Sequence, residues 1–305
     1  MIDKNLLSML ICPSCKGDLE MTFDLLGCKK CLKQYQIIDG IPVFFGQDGL
    51  GNDLALAHKK WEEFYHGFDW EKELVAYNRN NLTYILKHIE PIIARSTFVE
   101  IGSGASFLCF ALAKMGVQVV AIDFDIAILR TAKRYFEKYH IPGYFICANI
   151  QNIPLRSDTI DLSAGIGVIE HSNDITLSLK ELSRITRPLG FTFQTVPAFS
   201  LTTLVLNQRY GTIPHIPVLK NIFIWFHIKF LKARHMICGY EESFTSRSLR
   251  KLFRESGFEV GQIGFYDYNQ SIIKKVLGNT LRPLIKLRLF WDIIFIKAYK
   301  KKDSL

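Results

Sequence analysis

The sequence predicts an α/β fold in which a doubly wound parallel sheet follows a small cysteine-rich ribbon. From residue 97 onward, β-branched apolar runs alternate with helical repeats, and this alternation gives a parallel sheet with helices on both faces. Four of the seven cysteines lie within the first 31 residues. The 305 residues, of which 49% are hydrophobic, suit about two domains and exclude a disordered or low-complexity chain.

The cellular compartment is predicted from what the sequence lacks. No apolar run reaches the roughly 18 residues that span a bilayer, and residues 1–4 lack the charged-then-apolar plan of a signal peptide. We therefore expect a cytoplasmic chain. In reducing surroundings its cysteines would serve as metal ligands or buried thiols rather than as disulfides.

Two C-x-x-C pairs predict a metal site. Cys12 and Cys15 form the first pair, and Cys28 and Cys31 form the second, with twelve residues between the pairs. Four thiolates fill the tetrahedral coordination of one ion and leave no open position, so the ion would be a structural Zn²⁺. A module this small has little core, and metal binding would supply much of its folding free energy. The alternative is a ribbon with four metal-free cysteines.

Residues 47–94 are predicted to form a helical connector. Aromatic side chains recur there at helical spacings, namely Trp61, Phe64, Tyr65, Trp70 and Tyr77. Such stripes are usually core, so we expect a packed linker helix. An aromatic surface that faces the substrate is the alternative.

The alternating pattern begins at residue 97. Strands are predicted over 97–101, 118–123, 144–149, 160–165 and 190–196, with helices over 107–115, 125–140 and 175–186. A helix over 245–256 precedes two last strands over 258–267 and 291–299. Ligands of such sheets bind at the carboxyl ends of the strands, near the point where the strand order reverses.

A glycine turn lies at that edge of the predicted sheet. Gly102 and Gly104 directly follow the first strand, and they let the backbone turn tightly and approach a ligand. Asp123 ends the next strand, 19 residues after Gly104, where an acid can reach the hydroxyls of a ribose. A dinucleotide-binding turn would carry a third glycine at position 107, but that residue is Phe107.

With Glu100 in front, the turn reads Glu-Ile-Gly-Ser-Gly and resembles the first motif of class I S-adenosylmethionine-dependent methyltransferases. The resemblance covers about residues 95–200 and is to methyltransferase type 11, similar to quinone-biosynthesis methyltransferases. It implies a Rossmann-like sheet of seven strands, the last antiparallel, and S-adenosyl-L-methionine as cofactor. The cofactor-binding residues that it implies are Glu100, Gly102, Ser103, Gly104, Asp123, Phe124, Asn149, Ile150 and Gly165. Three positions depart from the family pattern, namely Ala105, Ser106 and Asn149.

Residues 6–44, which end in Asp-Gly-Ile-Pro-Val-Phe, resemble the zinc ribbon of the activator subunit of tRNA methyltransferases. In that family the module helps methyltransferases, either as a separate subunit or as a fused N-terminal domain. The predicted layout is therefore a ribbon at 1–46, the connector at 47–94 and a methyltransferase domain at 95–305. A lid over the acceptor is expected as an insertion at 198–240.

The expected methyl transfer requires few catalytic groups from the protein. The methyl group of a sulfonium is already activated, so its transfer depends mainly on positioning and desolvation. A base is needed only where the acceptor must lose a proton. Glu170 and His171, at the exit of the fourth strand, are the nearest candidates by fold position. His171 has the alternative of capping a helix or packing structurally.

Charge and apolar patterning predict the acceptor. The net charge is +9, and residues 261–305 hold nine Lys or Arg against three Asp. Basic residues interleave with apolar ones at 216–231 and 271–289, a pattern that suits an anionic membrane surface. We therefore expect a small-molecule, glycan or lipid-linked acceptor, with peripheral attachment at the inner membrane surface. Alternatively, the lid helix is buried against the sheet.

Two other functions stay open. Fusion of a zinc ribbon to this kind of domain resembles bacterial ribosomal RNA guanine methyltransferases, and a basic chain suits phosphate contacts, so a base of ribosomal RNA or tRNA is one alternative acceptor. Few aromatic residues lie near the basic ones to stack on bases. The other alternative is a non-catalytic zinc-ribbon interaction protein on a degenerate methyltransferase fold. The sequence identifies no obligate protein partner.

Overall fold

The computed structural model describes residues 2–45, 67–90, 96–201, 203, 212–230, 241–266 and 291–301. Its helices are α1 Lys4–Met9, α2 Trp70–Tyr77, α3 Thr83–Ile89, α4 Phe107–Ala113, α5 Ile126–Lys138, α6 Ile175–Ile185, α7 Pro217–Lys229 and α8 Ser246–Glu255. Its strands are β1 Leu19–Thr22, β2 Leu25–Cys28, β3 Gln34–Ile38, β4 Ile41–Val43, β5 Thr97–Ile101, β6 Gln118–Asp123, β7 Tyr144–Cys147, β8 Ile160–Ile166, β9 Thr186–Pro197, β10 Thr212–Pro214, β11 Glu241–Ser243, β12 Phe258–Tyr266 and β13 Ile293–Lys300. Within these residues, no helix combines the length and the apolar character that crossing a membrane requires.

Seven strands form the expected sheet, in the order β7-β6-β5-β8-β9-β13-β12. Strands β5 to β9 are parallel to their neighbours in this order, whereas β13 runs antiparallel to both β9 and β12. The chain moves outward from β5 through β6 to β7, and then returns to the other side of β5 for β8. The predicted doubly wound sheet with an antiparallel last strand is confirmed.

Both faces of this sheet are buried because its strands are apolar at successive positions. On β5, Phe98 packs into a cluster with Leu108 of α4 and Leu129 of α5. Its neighbour Val99 points to the other face and joins a cluster that contains Leu182 of α6. Successive strand residues alternate between faces, so a strand with a helix layer on each side must be apolar throughout.

The ribbon continues the same sheet, which therefore has eleven strands instead of seven. Strand β4 lies parallel to β7 through the pair Val43 and Cys147, and the Phe44 amide donates to the Cys147 carbonyl at 2.8 Å. Strands β3, β2 and β1 follow outward. The ribbon was predicted as a small N-terminal module, and its pairing with the larger sheet was not predicted. Strand β7 would otherwise be an edge with unpaired backbone groups, and β4 covers it.

The ribbon also packs on the segment that follows β7. Leu10 pairs with Leu155 in an antiparallel bridge, and the Ile11 amide donates to the Pro154 carbonyl at 3.0 Å. Arg156 donates to the Asp18 carboxylate at 2.7 Å. Leu10 and Leu155 are fully buried in one apolar cluster that spans both parts. The ribbon and the larger sheet therefore share a core.

The described part of the connector is helical, with α2 and α3 joined by a π-helical turn over Asn78–Leu82. Trp70 is fully buried, and its indole N–H donates to the Ala105 carbonyl at 2.9 Å. Its ring stacks on the Tyr135 ring, with 4.4 Å between the ring centres. The packed interpretation thus holds for Trp70. Trp61, Phe64 and Tyr65 lie outside the described residues, as does the predicted basic segment 271–289.

Candidate functional site

A cleft of about 250 Å³ opens at the carboxyl ends of β5, β6, β7 and β8, on the edge where the strand order reverses. Six of the residues predicted to form a site line it, namely Gly102, Asp123, Phe124, Asn149, Ile150 and His171. In open α/β sheets this is the position where ligands bind. The topology therefore brings together residues from four separate strand ends.

The turn after β5 requires glycine at its first position. Gly102 and Gly104 have φ angles of +55° and +48°, in the left-handed region that side chains disfavour. A Cβ on Gly102 would stand 2.6 Å from the Val168 side chain. Because Val168 also lines the cleft, any larger residue at 102 would push the cleft wall outward.

Ser106, one of the departures from the family pattern, keeps the backbone shape that a glycine would have. Its φ is +58°, and its buried hydroxyl donates to Ser103 Oγ at 3.1 Å. Its carbonyl accepts from the Phe110 amide in the first turn of α4. A non-glycine residue in this region is strained, and these hydrogen bonds hold it there.

Asp123 links the glycine turn to the end of β6. One carboxylate oxygen accepts from the Gly104 amide at 2.7 Å and the other from the Asp125 amide at 3.0 Å. Burial raises the pKa of Asp123 to about 6, although these amides oppose the shift. A carboxylate has about four acceptor sites, so acceptor capacity remains for a hydroxyl group of a ligand in the cleft.

Glu100 lies behind the cleft rather than in its lining. Its buried carboxylate accepts from the Cys109 amide at 2.9 Å, and so satisfies a free N–H in the first turn of α4. Burial raises the pKa of Glu100 to about 7. Ser103 is also outside the lining, and its amide donates to the Ile122 carbonyl at 3.0 Å. Glu100, Ser103 and Gly104 therefore shape the turn from behind, whereas Gly102 of the same turn lines the cleft.

The wall at the end of β7 is a short 3₁₀ turn over Ile150–Asn152. Asn149 caps it, because its side-chain oxygen accepts from the Gln151 amide at 2.9 Å. The Gln151 side chain donates to Ser172 Oγ at 3.1 Å, which ties this wall to the opposite one. Gln151 and Ser172 both line the cleft and were missed by the sequence analysis.

Gly165 and Gly167 have different positions near the end of β8. A Cβ on Gly165 would stand 2.3 Å from the Gln194 side-chain oxygen and 2.8 Å from Ile101, so Gly165 makes room within the sheet and does not line the cleft. Gly167, with a φ of +71°, does line it. The signal for Gly167 in the sequence was a glycine just past a strand end, where the chain must turn.

Glu170 and His171 belong to one 3₁₀ turn, Ile169–His171, but only His171 lines the cleft. The Glu170 side chain is 3% exposed, and its Oε1 would stand 3.5 Å from a Cβ on Gly167. Burial raises the pKa of Glu170 well above its ordinary value, with a smaller contribution from Glu241. The Glu170 carboxyl therefore lies behind the wall, where burial favours its protonated form.

The four predicted metal ligands meet at one point. All the sulfur atoms of Cys12, Cys15, Cys28 and Cys31 lie within 4.8 Å of one another, and two of the separations are 3.6 and 3.4 Å. Four sulfurs each about 2.3 Å from one ion in a regular tetrahedron are roughly 3.8 Å apart. The donor set and its spacing fit a tetrahedral ion. Within the described residues no other group of three or more His, Cys, Asp or Glu side chains brings its ligand atoms this close together.

A family model described as a methyltransferase domain matches residues 99–193. This range runs from β5 to β9 and contains every residue named above for the cleft, so the match and the geometry coincide on the same part of the fold.

Curated relatives match over a similar region. The ubiquinone biosynthesis O-methyltransferase of Rhodopseudomonas palustris (strain BisB5) is 30% identical over 92 residues, which are 30% of this chain and 36% of that protein. The enzyme of the same name from Xanthomonas axonopodis pv. citri is 24% identical over 166 residues, 52% of this chain and 67% of that protein. The chain thus spans about a third of the length of the first of these.

Solved structures extend the likeness of the fold. A chain from the complex between the Haloferax volcanii Trm112 methyltransferase activator and a methyltransferase superposes with a TM-score of 0.56 at 14% identity, covering 82% of this chain and 99% of that one. Haemonchus contortus phosphoethanolamine N-methyltransferase 2 superposes with a TM-score of 0.55 at 12% identity, covering 81% of this chain and 60% of that one. For geranyl diphosphate C-methyltransferase from Streptomyces coelicolor the TM-score is 0.52 at 13% identity, with 72% of this chain and 76% of that one covered.

Proposed function

We propose that this chain, which carries a class I methyltransferase domain, transfers the methyl group of S-adenosylmethionine to a small-molecule acceptor. The observation that carries the proposal is the cleft at the reversal of strand order, where a glycine turn, a strand-end aspartate and a capped adenine-side turn meet. These features lie within the residues matched by the methyltransferase model.

Three parts of the cleft would hold the cofactor. Gly102 would let the backbone approach its amino-acid end, and the remaining acceptor sites of Asp123 would take the ribose hydroxyls. Asn149 and Ile150 would line the adenine, where an amide can both donate and accept. When bound, the cofactor supplies an activated methyl group, and the protein positions the acceptor and excludes water.

We propose a hydroxyl acceptor, because the curated relatives are named O-methyltransferases. Candidate acceptors are a sugar, a quinone precursor or a glycan carried on a lipid. His171 lines the cleft and is the candidate to take the hydroxyl proton. Glu170 is buried behind Gly167, so in our proposal it positions the wall on which His171 sits.

Calorimetry on the purified chain tests the cofactor assignment. Asp123→Ala removes the ribose acceptor and should weaken S-adenosylmethionine binding by about 1–3 kcal/mol, the range for hydrogen bonds to charged groups. The matched control is Asp39→Asn, which breaks only an exposed ion pair with Arg130. Circular dichroism must show that both variants fold. Unchanged affinity in the folded Asp123 variant, or tighter binding of a nicotinamide cofactor by the wild type, contradicts the proposal.

Tritium transfer from labelled S-adenosylmethionine into a fractionated cell extract tests the acceptor class. Label in the lipid or small-molecule fraction supports the proposal, and label in RNA contradicts it. Omitting the protein and adding the Asp123→Ala variant are the two controls.

RNA is the second candidate acceptor. The net charge of +9 and the ribbon favour it, because basic surfaces attract phosphate backbones, and one similar structure is a complex with a methyltransferase activator. If the chain binds neither S-adenosylmethionine nor its product, the remaining candidate is a non-catalytic interaction protein.

We further propose that Cys12, Cys15, Cys28 and Cys31 hold one structural Zn²⁺. Four thiolates select zinc among the common divalent ions, and the closed set leaves no position for catalysis. Because such a thiolate site needs reducing surroundings, we place the chain in the cytoplasm. Peripheral attachment at the inner membrane surface is also part of the proposal.

A further inference from the structure

Helix α7 presents an apolar stripe to solvent. Five large side chains are exposed, at 70% for Val218, 53% for Ile222, 53% for Trp225, 40% for Phe226 and 59% for Phe230. Their spacings of four, three, one and four residues place them on one face of a helix. Large contiguous apolar patches are uncommon on the surfaces of monomeric proteins and mark interaction sites.

The opposite side of α7 is attached to the rest of the molecule. His227 is 1% exposed, and the Lys220 ammonium donates to the Glu242 carboxylate on β11. Glu242 also contacts His215, which follows β10 and precedes the helix. These contacts fix which face of α7 is turned away from the protein. The lid helix is therefore not buried against the sheet on its apolar side.

A basic side chain of the described residues lies beside the stripe, and the insertion is basic in sequence. The insertion at 198–240 contains five Lys or Arg and no Asp or Glu. Lys229 lies on the exposed side of α7, with its ammonium 5.2 Å from the centre of the Trp225 ring. A second copy of the chain would bring an equal positive charge against this surface. A partner with an anionic surface over an apolar interior would match both the apolar stripe and the basic charge.

We propose that α7 docks on an anionic lipid bilayer, with the stripe of Val218, Ile222, Trp225, Phe226 and Phe230 inserted at the level of the headgroups. Interfacial helices bury their apolar face about 5–10 Å deep and keep their basic residues beside lipid phosphates. Trp and Phe favour this zone, and each lysine near an anionic leaflet adds attraction.

Helix α7 is connected to the turn at the cleft through β10 and β11. Strand β10, just before α7, pairs with β11 through Thr212 and Glu241, and Glu241 is close enough to Glu170 to raise its pKa. Glu170 adjoins His171 in the turn at the cleft. We place a lipid-borne acceptor on this side of the protein. This choice of a lipid-borne acceptor rests on the proposed methyl transfer, and the docking assigns a surface to the proposed peripheral attachment.

Vesicle flotation with the full chain tests the docking. We expect the wild type to float with vesicles of equal phosphatidylglycerol and phosphatidylcholine, and to bind pure phosphatidylcholine at least tenfold more weakly. The double variant Ile222→Gln with Trp225→Gln should lower partitioning at least tenfold. Lys229→Gln should lower it about fivefold, the factor for one basic residue near the surface. Val75→Gln, which removes another exposed apolar residue on α2, should bind like the wild type.

The contrary results are equally specific. Absence of wild-type binding to the anionic vesicles overturns the proposal, as does a double variant that floats like the wild type. Preferential binding to naked RNA in competition with vesicles overturns it as well. Calorimetry with S-adenosylmethionine, run without lipid on the same preparations, separates the two proposals. Failure of docking leaves cofactor binding intact, and failure of the proposed function leaves flotation intact.

Discussion

The Lys16 ammonium lies 2.8 Å from the Glu181 carboxylate, and this ion pair joins the cysteine-rich ribbon to helix α6. Lys16 stands directly after Cys15 with a φ of +56°, and its amide donates to the Cys12 carbonyl at 2.8 Å, so the turn that carries the first cysteine pair sets its position. The same Glu181 carboxylate accepts from the Ile153 amide at 2.9 Å and from Arg184. The ribbon therefore helps to hold the segment that directly follows the Asn149 wall of the cleft.

Lys16→Met should weaken S-adenosylmethionine binding about two- to fivefold and lower the free energy of unfolding by about 1 kcal/mol. The pair is partly buried, which places it at the upper end of the range for surface ion pairs. Lys29→Met is the matched control, since its pair with Glu20 at 3.4 Å is exposed on both sides. Calorimetry and urea unfolding measure both quantities. Equal behaviour of the two variants would show that the Lys16 contact does not reach the cleft.

Elemental analysis of the purified, reduced chain should find one zinc per molecule. Cys15→Ser should lose the metal and also the hydrogen-exchange protection of residues 2–45, because metal binding supplies folding free energy to so small a module. Cys109→Ala, a change at a buried cysteine of α4, should keep the zinc. A folded wild-type preparation without metal would contradict the proposed zinc site.

Glu100 should make the ligand-free protein less stable as the pH rises. Its pKa is about 7 in the folded protein and about 4.3 when exposed. Between these values the folded state holds a proton that the unfolded state has released, so the free energy of unfolding falls by up to about 1.4 kcal/mol per pH unit. Glu100→Gln keeps an acceptor for the Cys109 amide and lacks this proton.

Urea unfolding at pH 5, 6, 7 and 8 checks the expectation. The stability of the wild type relative to Glu100→Gln should decrease over this window and then level off above pH 7. Asp123, whose pKa is about 6, acts in the same direction in both proteins, and its charge adds to the rise of the Glu100 pKa. Parallel curves for the two proteins would mean that Glu100 does not titrate as a buried acid.

His171→Gln should lower kcat by about 10²–10⁴-fold, the usual contribution of a general base, and should remove the acidic limb of the pH–rate profile. Ser172→Ala changes the neighbouring residue of the cleft lining and should keep the profile. Rates are measured with the fraction that takes up tritium. An unchanged pH profile in the His171 variant would restrict His171 to a structural role.

Features encoded by short stretches of sequence were predictable. Strands β5 and β6 begin and end where the apolar runs do, because strand pairing in a sheet buried on both faces selects continuous apolar residues. Gly102 and Asp123 were predicted from their place at strand ends, Asn149 from the resemblance to methyltransferases, and the cysteine pairs from their spacing. Each of these signals spans a few residues, and the parallel topology then brings the strand ends together.

The tertiary structure alone decided the remaining relationships. The pairing of Val43 with Cys147 joins residues about a hundred positions apart, and neither β4 nor β7 carries a local signal for its partner. Glu170 and His171 are adjacent in sequence, yet the 3₁₀ turn sends one side chain behind the wall and the other to the cleft. Helix α7 is apolar nearly all round, so only the contacts of Lys220 and His227 determined which face it turns to solvent. Composition sets how much apolar surface a helix has, and the packing of its neighbours sets where that surface goes.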